Sequence, residues 1–261
     1  MKVICLLTSA QHGFRFGRST TSALAGIVDQ VTEAFESRDS ILLTLCDLSK
    51  AFYCVSHSIL LEKLQRYGLF GAPFAMLKSY LSGRKQCTEI NGSTSAEQPV
   101  QYGEPQGSVL GPLLFIVLIN DLSTGVDGSV LMFADDTTLL SRGRDHEGLL
   151  SEQKSAFDQA KLWFQSNRLQ LNEHKTQLLL CSLGQMEVDE AAGPVKLLGF
   201  SLDRELSWGS HIDMISKRLP KSPLPAEEAS GSAFPFLPAS CVPRPVPFLY
   251  KSWAVTLGTR L

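Results

Sequence analysis

Residues 129–142 read SVLMFADDTTLLSR, with Asp135 and Asp136 side by side between apolar and β-branched residues. Two unit charges ~4 Å apart repel by roughly 1 kcal/mol in bulk water, and several-fold more near a protein surface. The flanking runs favour extended chain, so the pair reads as the tip of a β-hairpin. Either the two carboxylates are an ordinary polar turn, or they face something that needs their charge.

The stretch SILLTLCDL, residues 40–48, is too short and too continuously apolar for a helix of its own. It reads as a buried strand ending near Asp47. A sheet can place a strand end beside a hairpin tip. Three carboxylates would then converge, and such a cluster calls for a cation. Hard oxygen ligands select Mg²⁺ or Mn²⁺. Two such ions about 3.5–4 Å apart can activate an attacking hydroxyl and stabilise a leaving phosphate oxygen. On these residues alone, a turn pair and an unrelated strand-end aspartate are the favoured reading.

Around this centre the chain alternates in character. Leu24, Ile27, Val28, Val31 and Phe35 fall at helical spacing, with Ser19 or Thr20 able to cap. HSILLEKLQRYGL, from His57, reads as a helix stopped at Gly68, and a short helix is expected from Pro73 through Tyr80. Asn91-Gly92 marks a turn between β-like runs. A buried apolar helix is expected around Leu113 to Leu122, and another helix from about Asp145 to Asn167. KTQLLLCS and VKLLGFSLD read as two more strands. The mixture points to an α+β fold, a mostly antiparallel sheet with helices on one face. Eight of the thirteen prolines lie between Pro220 and Pro247, where periodicity is lost, so residues 220–261 read as a loop-like or disordered tail.

Two further segments carry chemistry-bearing residues. In GEPQGSVLGPLLF, Gly107 and Gly111 allow close approach of another backbone or a base pair, Gln106 can hydrogen-bond a ligand, and Ser108 can cap the following helix. A Pro-Gln-Gly turn leading into a core helix explains the same letters. In LNEHKTQLLL, Lys175 stands just before a strand, where it can donate a proton to, or hold the charge of, a leaving pyrophosphate. Taken alone, it reads first as a surface lysine.

Bulk properties narrow the class. Lys+Arg total 24 and Asp+Glu 26, so no overall basic excess draws a phosphate backbone. Cys5, Cys46, Cys54, Cys87, Cys181 and Cys241 include no C-x-x-C pair and no zinc spacing, and read as free thiols of an intracellular protein. The apolar run Val3–Leu7 is shorter than a secretory h-region of ~7–15 residues, so secretion is not expected. No segment approaches the ~20 apolar residues of a membrane span. The expected compartment is nuclear or cytoplasmic.

Order and spacing then add a resemblance. The chain reads QHGFRFGRST, DLSKAF, GEPQGSVLGPLLF, FADDT, WFQSNRLQLNEHKT and VKLLGFSLDRELSW, in that order. From about Gln11 to Leu219 this resembles the reverse transcriptase domain of non-LTR retrotransposons, most closely the jockey-like elements. The resemblance implies a right-hand polymerase, with partial fingers in residues 1–40 and a palm in 41–219. It implies an RNA template, a DNA primer, deoxynucleoside triphosphates and two Mg²⁺ ions, with Mn²⁺ a possible substitute. Carried over by position, Asp47, Asp135, Asp136 and the Leu48 carbonyl hold metal, and Lys175 is the pyrophosphate-side acid. Phe52 closes on the nucleotide sugar, and Gln106 and Gly107 line the nucleotide and template pocket. Leu198 and Gly199, in VKLLGF, belong to a hairpin gripping the primer end together with Leu206 and Trp208. Arg15 and Arg18 lie in the fingers-side motif and face template or triphosphate.

The chain also departs from the pattern. Tyr53 stands where the family usually has aspartate, Glu104 where a small apolar residue is usual, and Leu118 where a tyrosine is usual. The family's fingers are longer and its thumb follows the primer-grip segment, so the chain reads as a truncated or decayed copy. The alternative is a palm-derived fragment that binds nucleic acid without catalysis.

Overall fold

The computed structural model describes residues 7–105, 107–184 and 193–218. The chain divides into two compact units, Met1–Met214 and Ile215–Leu261. The expected Pro-rich tail, 220–261, lies outside the described residues.

Six helices are present among the described residues: α1 (Thr20–Glu36), α2 (His57–Arg66), α3 (Gly71–Leu81), α4 (Gly111–Ile119), α5 (His146–Ser166) and α6 (Gly209–Arg218). The main sheet has four strands, β1 (Ser40–Cys46), β2 (Ser129–Phe133), β3 (Asp136–Gly143) and β4 (Gln177–Cys181). They lie in the order β4-β1-β3-β2, with every neighbouring pair antiparallel. The α+β class is as expected.

The central strand decides how the layers form. All seven residues of β1 are buried, because Ile41, Leu42, Leu43 and Leu45 present apolar groups to both sides of the sheet. A strand apolar on both faces needs cover on both. On one face Ala23, Leu24, Ile27, Val31 and Ala34 of α1 pack with Ile41, Leu43 and Leu45. On the other, Leu149 of α5 packs with Leu42 and Leu180, and Gln153 of α5 donates to the Thr44 hydroxyl. The helices are therefore on two faces, which corrects the expected one-sided arrangement. Hairpin-joined strands suggest a single covered face, while the unbroken apolar run of β1 carries the opposite information.

Local chemistry sets the helix ends. Ser19 caps α1, and its backbone N–H is bonded in return by Ser22, a reciprocal capping box. Asp145 caps α5 by accepting from the Gly148 N–H at 2.7 Å. Ser108 accepts the Gly111 N–H at 2.9 Å at the start of α4. That helix is apolar on all sides, and Leu114 through Ile119 are all buried. It ends at Ile119 and passes into a 3₁₀ turn at Leu122–Thr124, short of the expected limit. Leu60 and Leu64 of α2, Leu77 and Leu81 of α3, and Ala160 and Phe164 of α5 complete the core around it.

Two hairpins lie outside the main sheet. Glu89–Ile90 pairs with Ser93–Thr94 about Asn91-Gly92, both at positive φ, as the dipeptide predicts. The apolar letters of residues 195–202 read as one strand. They form two, β5 (Val195–Leu197) and β6 (Phe200–Leu202), because Leu198 (φ 50°) and Gly199 (φ 88°) turn the chain. The hairpin form is the one the family resemblance implies. Cys46, Cys54, Cys87 and Cys181 are free thiols. Among the described residues no helix is long and apolar enough to cross a membrane.

Candidate active site

The last pair of the β2–β3 hairpin is Phe133 with Asp136, which leaves Ala134 and Asp135 as a two-residue turn. Ala134 has φ 56°, a left-handed conformation that tight hairpins require and that alanine adopts only under constraint. The β1–β3 register pairs Cys46 with Thr137. Asp47 directly follows that last pair on one strand and Asp136 directly precedes it on the other, near enough for their charges to repel. The strand end is anchored beyond that point: the Asp47 carbonyl accepts from the Asn172 N–H at 2.8 Å, and Leu48–Ser49 pairs with Gln170–Leu171.

The electrostatics follow from this convergence. Desolvation pushes the Asp135 carboxyl above the usual carboxylate range, and the charge of Asp47 adds to the rise against a hydrogen bond from its own backbone. Asp136 is pushed up to about 6 by desolvation and by the charges of Asp135 and Asp47. Asp136 nevertheless keeps solvent exposure as a residue, so water screens part of this effect. The site is a group of carboxylates that repel one another and are relieved by protons or by cations.

A cleft of about 370 Å³ opens here, lined by Asp47, Asp136, His174, Lys175, Lys196 and Leu198 among others. Asp135 does not line it. Lys175 is exposed on the turn after Asn172, whose carbonyl accepts the Lys175 N–H at 3.1 Å. His174 and Lys196 escape a reading of the sequence alone. A signal for Lys196 exists: it alternates with buried Val195 and Leu197 beside the Leu198-Gly199 turn, so it faces outward. His174 has no signal beyond its place next to Lys175.

Other expected site residues stand elsewhere. The Leu48 side chain is buried in the core. Phe52 is half-buried, its ring 4.4 Å from that of Phe115 and edge-on to Phe14 at 6.2 Å, and it does not line the cleft. Gly107 is exposed with φ 76° and open space around it. Gln106 lies outside the described residues. Arg15 donates to the carbonyls of Thr8 and Gln11, and Arg18 to those of Ser9 and Gln11. Through these bonds both guanidiniums brace their own segment, and their remaining N–H donors stay available to a ligand.

The donor set suits a hard divalent cation. It is all oxygen, rich in carboxylate, electrostatically unrelieved and open to solvent, as Mg²⁺ sites that keep their waters tend to be. The side chains are not closed into a cage: among the described residues no group of three or more His, Cys, Asp or Glu stands in metal-holding array.

The model of the family described as reverse transcriptase (RNA-dependent DNA polymerase) matches residues 1–202. The chain belongs to the reverse transcriptase family. It is 31% identical over 225 residues to a probable RNA-directed DNA polymerase from transposon X-element of Drosophila melanogaster, covering 80% of this chain and 24% of that protein. It is 28% identical over 225 residues to the RNA-directed DNA polymerase from mobile element jockey of the same species, covering 79% of this chain and 24% of that protein. The jockey-like resemblance read from the motifs is thereby borne out, and the chain spans about a quarter of the length of these curated relatives. Among solved structures, a telomerase from Candida tropicalis in complex with a TWJ fragment of telomeric RNA matches with a TM-score of 0.56 at 10% identity, covering 78% of this chain and 35% of that one. A truncated apo telomerase from the same organism matches with a TM-score of 0.53 at 11% identity, covering 74% of this chain and 39% of that one. These two likenesses concern the reverse transcriptase fold.

Proposed function

We propose that this chain is the catalytic palm, residues 41–219, with part of the fingers, residues 1–40, of a non-LTR retrotransposon RNA-directed DNA polymerase. In this reading it adds deoxynucleotides to a DNA primer 3′-hydroxyl on an RNA template. The observation that supports the reading is the β1–β3 register, whose last pair, Cys46 with Thr137, adjoins Asp47 and Asp136, together with the charge of Asp47 acting on both turn aspartates. Asp47, Asp135, Asp136 and the Leu48 carbonyl would hold two Mg²⁺ ions, with Mn²⁺ able to replace them. When bound, the ions neutralise charge on the phosphates and lower the pKa of the attacking hydroxyl. The primer 3′-oxygen, its proton passing to solvent water, would bond to the α-phosphorus as the bond to pyrophosphate breaks. Lys175 supplies a proton to the departing pyrophosphate, and Lys196 adds positive charge across the same cleft. The Leu198-Gly199 tip holds the primer end, Phe52 closes on the nucleotide sugar, and Gln106 with Gly107 contact nucleotide and template.

The test is one-nucleotide extension of a primer annealed to an RNA template, in Mg²⁺ at low salt with enzyme in excess. The wild type extends, and D135A and D136A do not. Absence of extension by the wild type, or extension that survives both substitutions, contradicts the reading. Glu104 and Tyr53 favour one second reading, a palm that binds nucleic acid without catalysis. It is supported if salt-dependent RNA binding remains without extension when all three aspartates are lost.

A further inference from the structure

Gln11 is fully buried, at 0% exposure, which is rare for a glutamine. Its side-chain amide is spent entirely on backbone. Oε1 accepts the Gly13 N–H at 2.6 Å and the Ala134 N–H at 2.9 Å, and Nε2 donates to the Ala134 carbonyl at 3.3 Å. The flanking chain grips the end of β2: the Met132 N–H donates to the Ala10 carbonyl at 2.8 Å, and the His12 N–H donates to the Met132 carbonyl at 2.7 Å. Gly13 closes the contact, since a Cβ there would lie 2.2 Å from the Ala134 nitrogen. Arg15 and Arg18 tie down the carbonyls of Thr8, Ser9 and Gln11 from outside. Ala134, the residue so held, has φ 56° and directly precedes Asp135.

We propose that Gln11 is a positioning residue for the aspartate turn, its amide locking Ala134 in the left-handed conformation and thereby fixing where Asp135 and Asp136 point. The proposal rests on the polymerase reading for its consequence in metal binding, but its structural content stands apart from that reading. An amide is the side chain that suits the task. It meets both the N–H and the carbonyl of one residue at once, where a carboxylate accepts only and an apolar chain does neither.

The experiment is a cycle of Q11M, A134G and Q11M/A134G, with folding checked by circular dichroism. Glycine adopts positive φ freely, so it removes the need for the lock. Amide exchange at Ala134 is expected to be slow in the wild type and fast in Q11M. Mn²⁺ affinity, read from the paramagnetic resonance of the free ion, is expected to fall about 10- to 100-fold in Q11M, as when a group orienting metal ligands is lost. Q11M/A134G recovers affinity toward that of A134G alone. Wild-type Ala134 exchange in Q11M, or the same effect of A134G on affinity in both backgrounds, overturns the proposal. Should Q11M not fold, Q11E, which exchanges the amide donor for an ionisable oxygen, is read by Ala134 exchange alone, and wild-type exchange there above the pKa of its carboxyl overturns the proposal. If the wild type binds no Mn²⁺, the three-aspartate reading fails, and Ala134 exchange alone decides the lock.

Discussion

Glu104 shows what a single misfit carboxylate does beside the start of α4. It packs so tightly against the start of α4 that a Cβ on Gly111 would lie 2.1 Å from its Oε2, and that oxygen has no hydrogen-bond partner. Burial pushes the Glu104 carboxyl above the usual carboxylate range. A raised carboxylate binds its proton longer in the folded than in the unfolded chain. Stability therefore falls as pH rises from the unfolded pKa through the folded one, and stays lowered at neutrality. E104Q is expected to raise stability at pH 7 by about 1 kcal/mol, the order of an unsatisfied buried polar group, with the gain shrinking toward pH 4. Thermal melts at the two pH values check this. Lys175 gives the complementary prediction. K175A is expected to slow single-turnover extension by roughly 100-fold or more, the usual yield of a general acid, with primer–template affinity little changed. Rapid-quench kinetics beside a binding titration separate the two. The aspartates are legible in the sequence because a strand end and a turn pair are local patterns. The bracing bonds of Arg15 and Arg18 are not, because only the folded segment shows which carbonyls they meet.

Among the elements, the β5–β6 hairpin carries the sharpest test. Gly199 sits at φ 88° beside Leu198, which lines the cleft, and a β-branched side chain there is strained. G199V is expected to cost about 1–2 kcal/mol, the penalty of left-handed geometry for a side-chain-bearing residue, and to weaken primer binding more than template binding. Denaturant melts and two binding titrations check it. This hairpin also marks the limit of reading by pattern. Val195 to Leu202 is largely apolar, and the period-two signal is hidden when the turn itself contains a leucine. By contrast β1, the Asn91-Gly92 turn and the capped α1 are plain, since each rests on local chemistry. The two-sided cover of the sheet is not, because it depends on which distant segments find each face. His174 and Lys196 reach the cleft by the same long-range assembly.

At the scale of the molecule, the balance of 24 basic and 26 acidic residues limits the grip on a nucleic-acid backbone. Duplex affinity is therefore expected to fall with a shallow slope against salt, about 0.9 per neutralised phosphate for a DNA duplex, and fluorescence anisotropy across a salt series measures it. Weak backbone grip leaves the aspartate cleft as the feature on which the account rests. Anomalous diffraction from crystals soaked in Mn²⁺ tests it most directly. The account predicts an ion held jointly by Asp47 and a carboxylate of the Asp135-Asp136 turn. Saturating Mn²⁺ that leaves this cleft empty, or an ion there without Asp47 among its ligands, contradicts it.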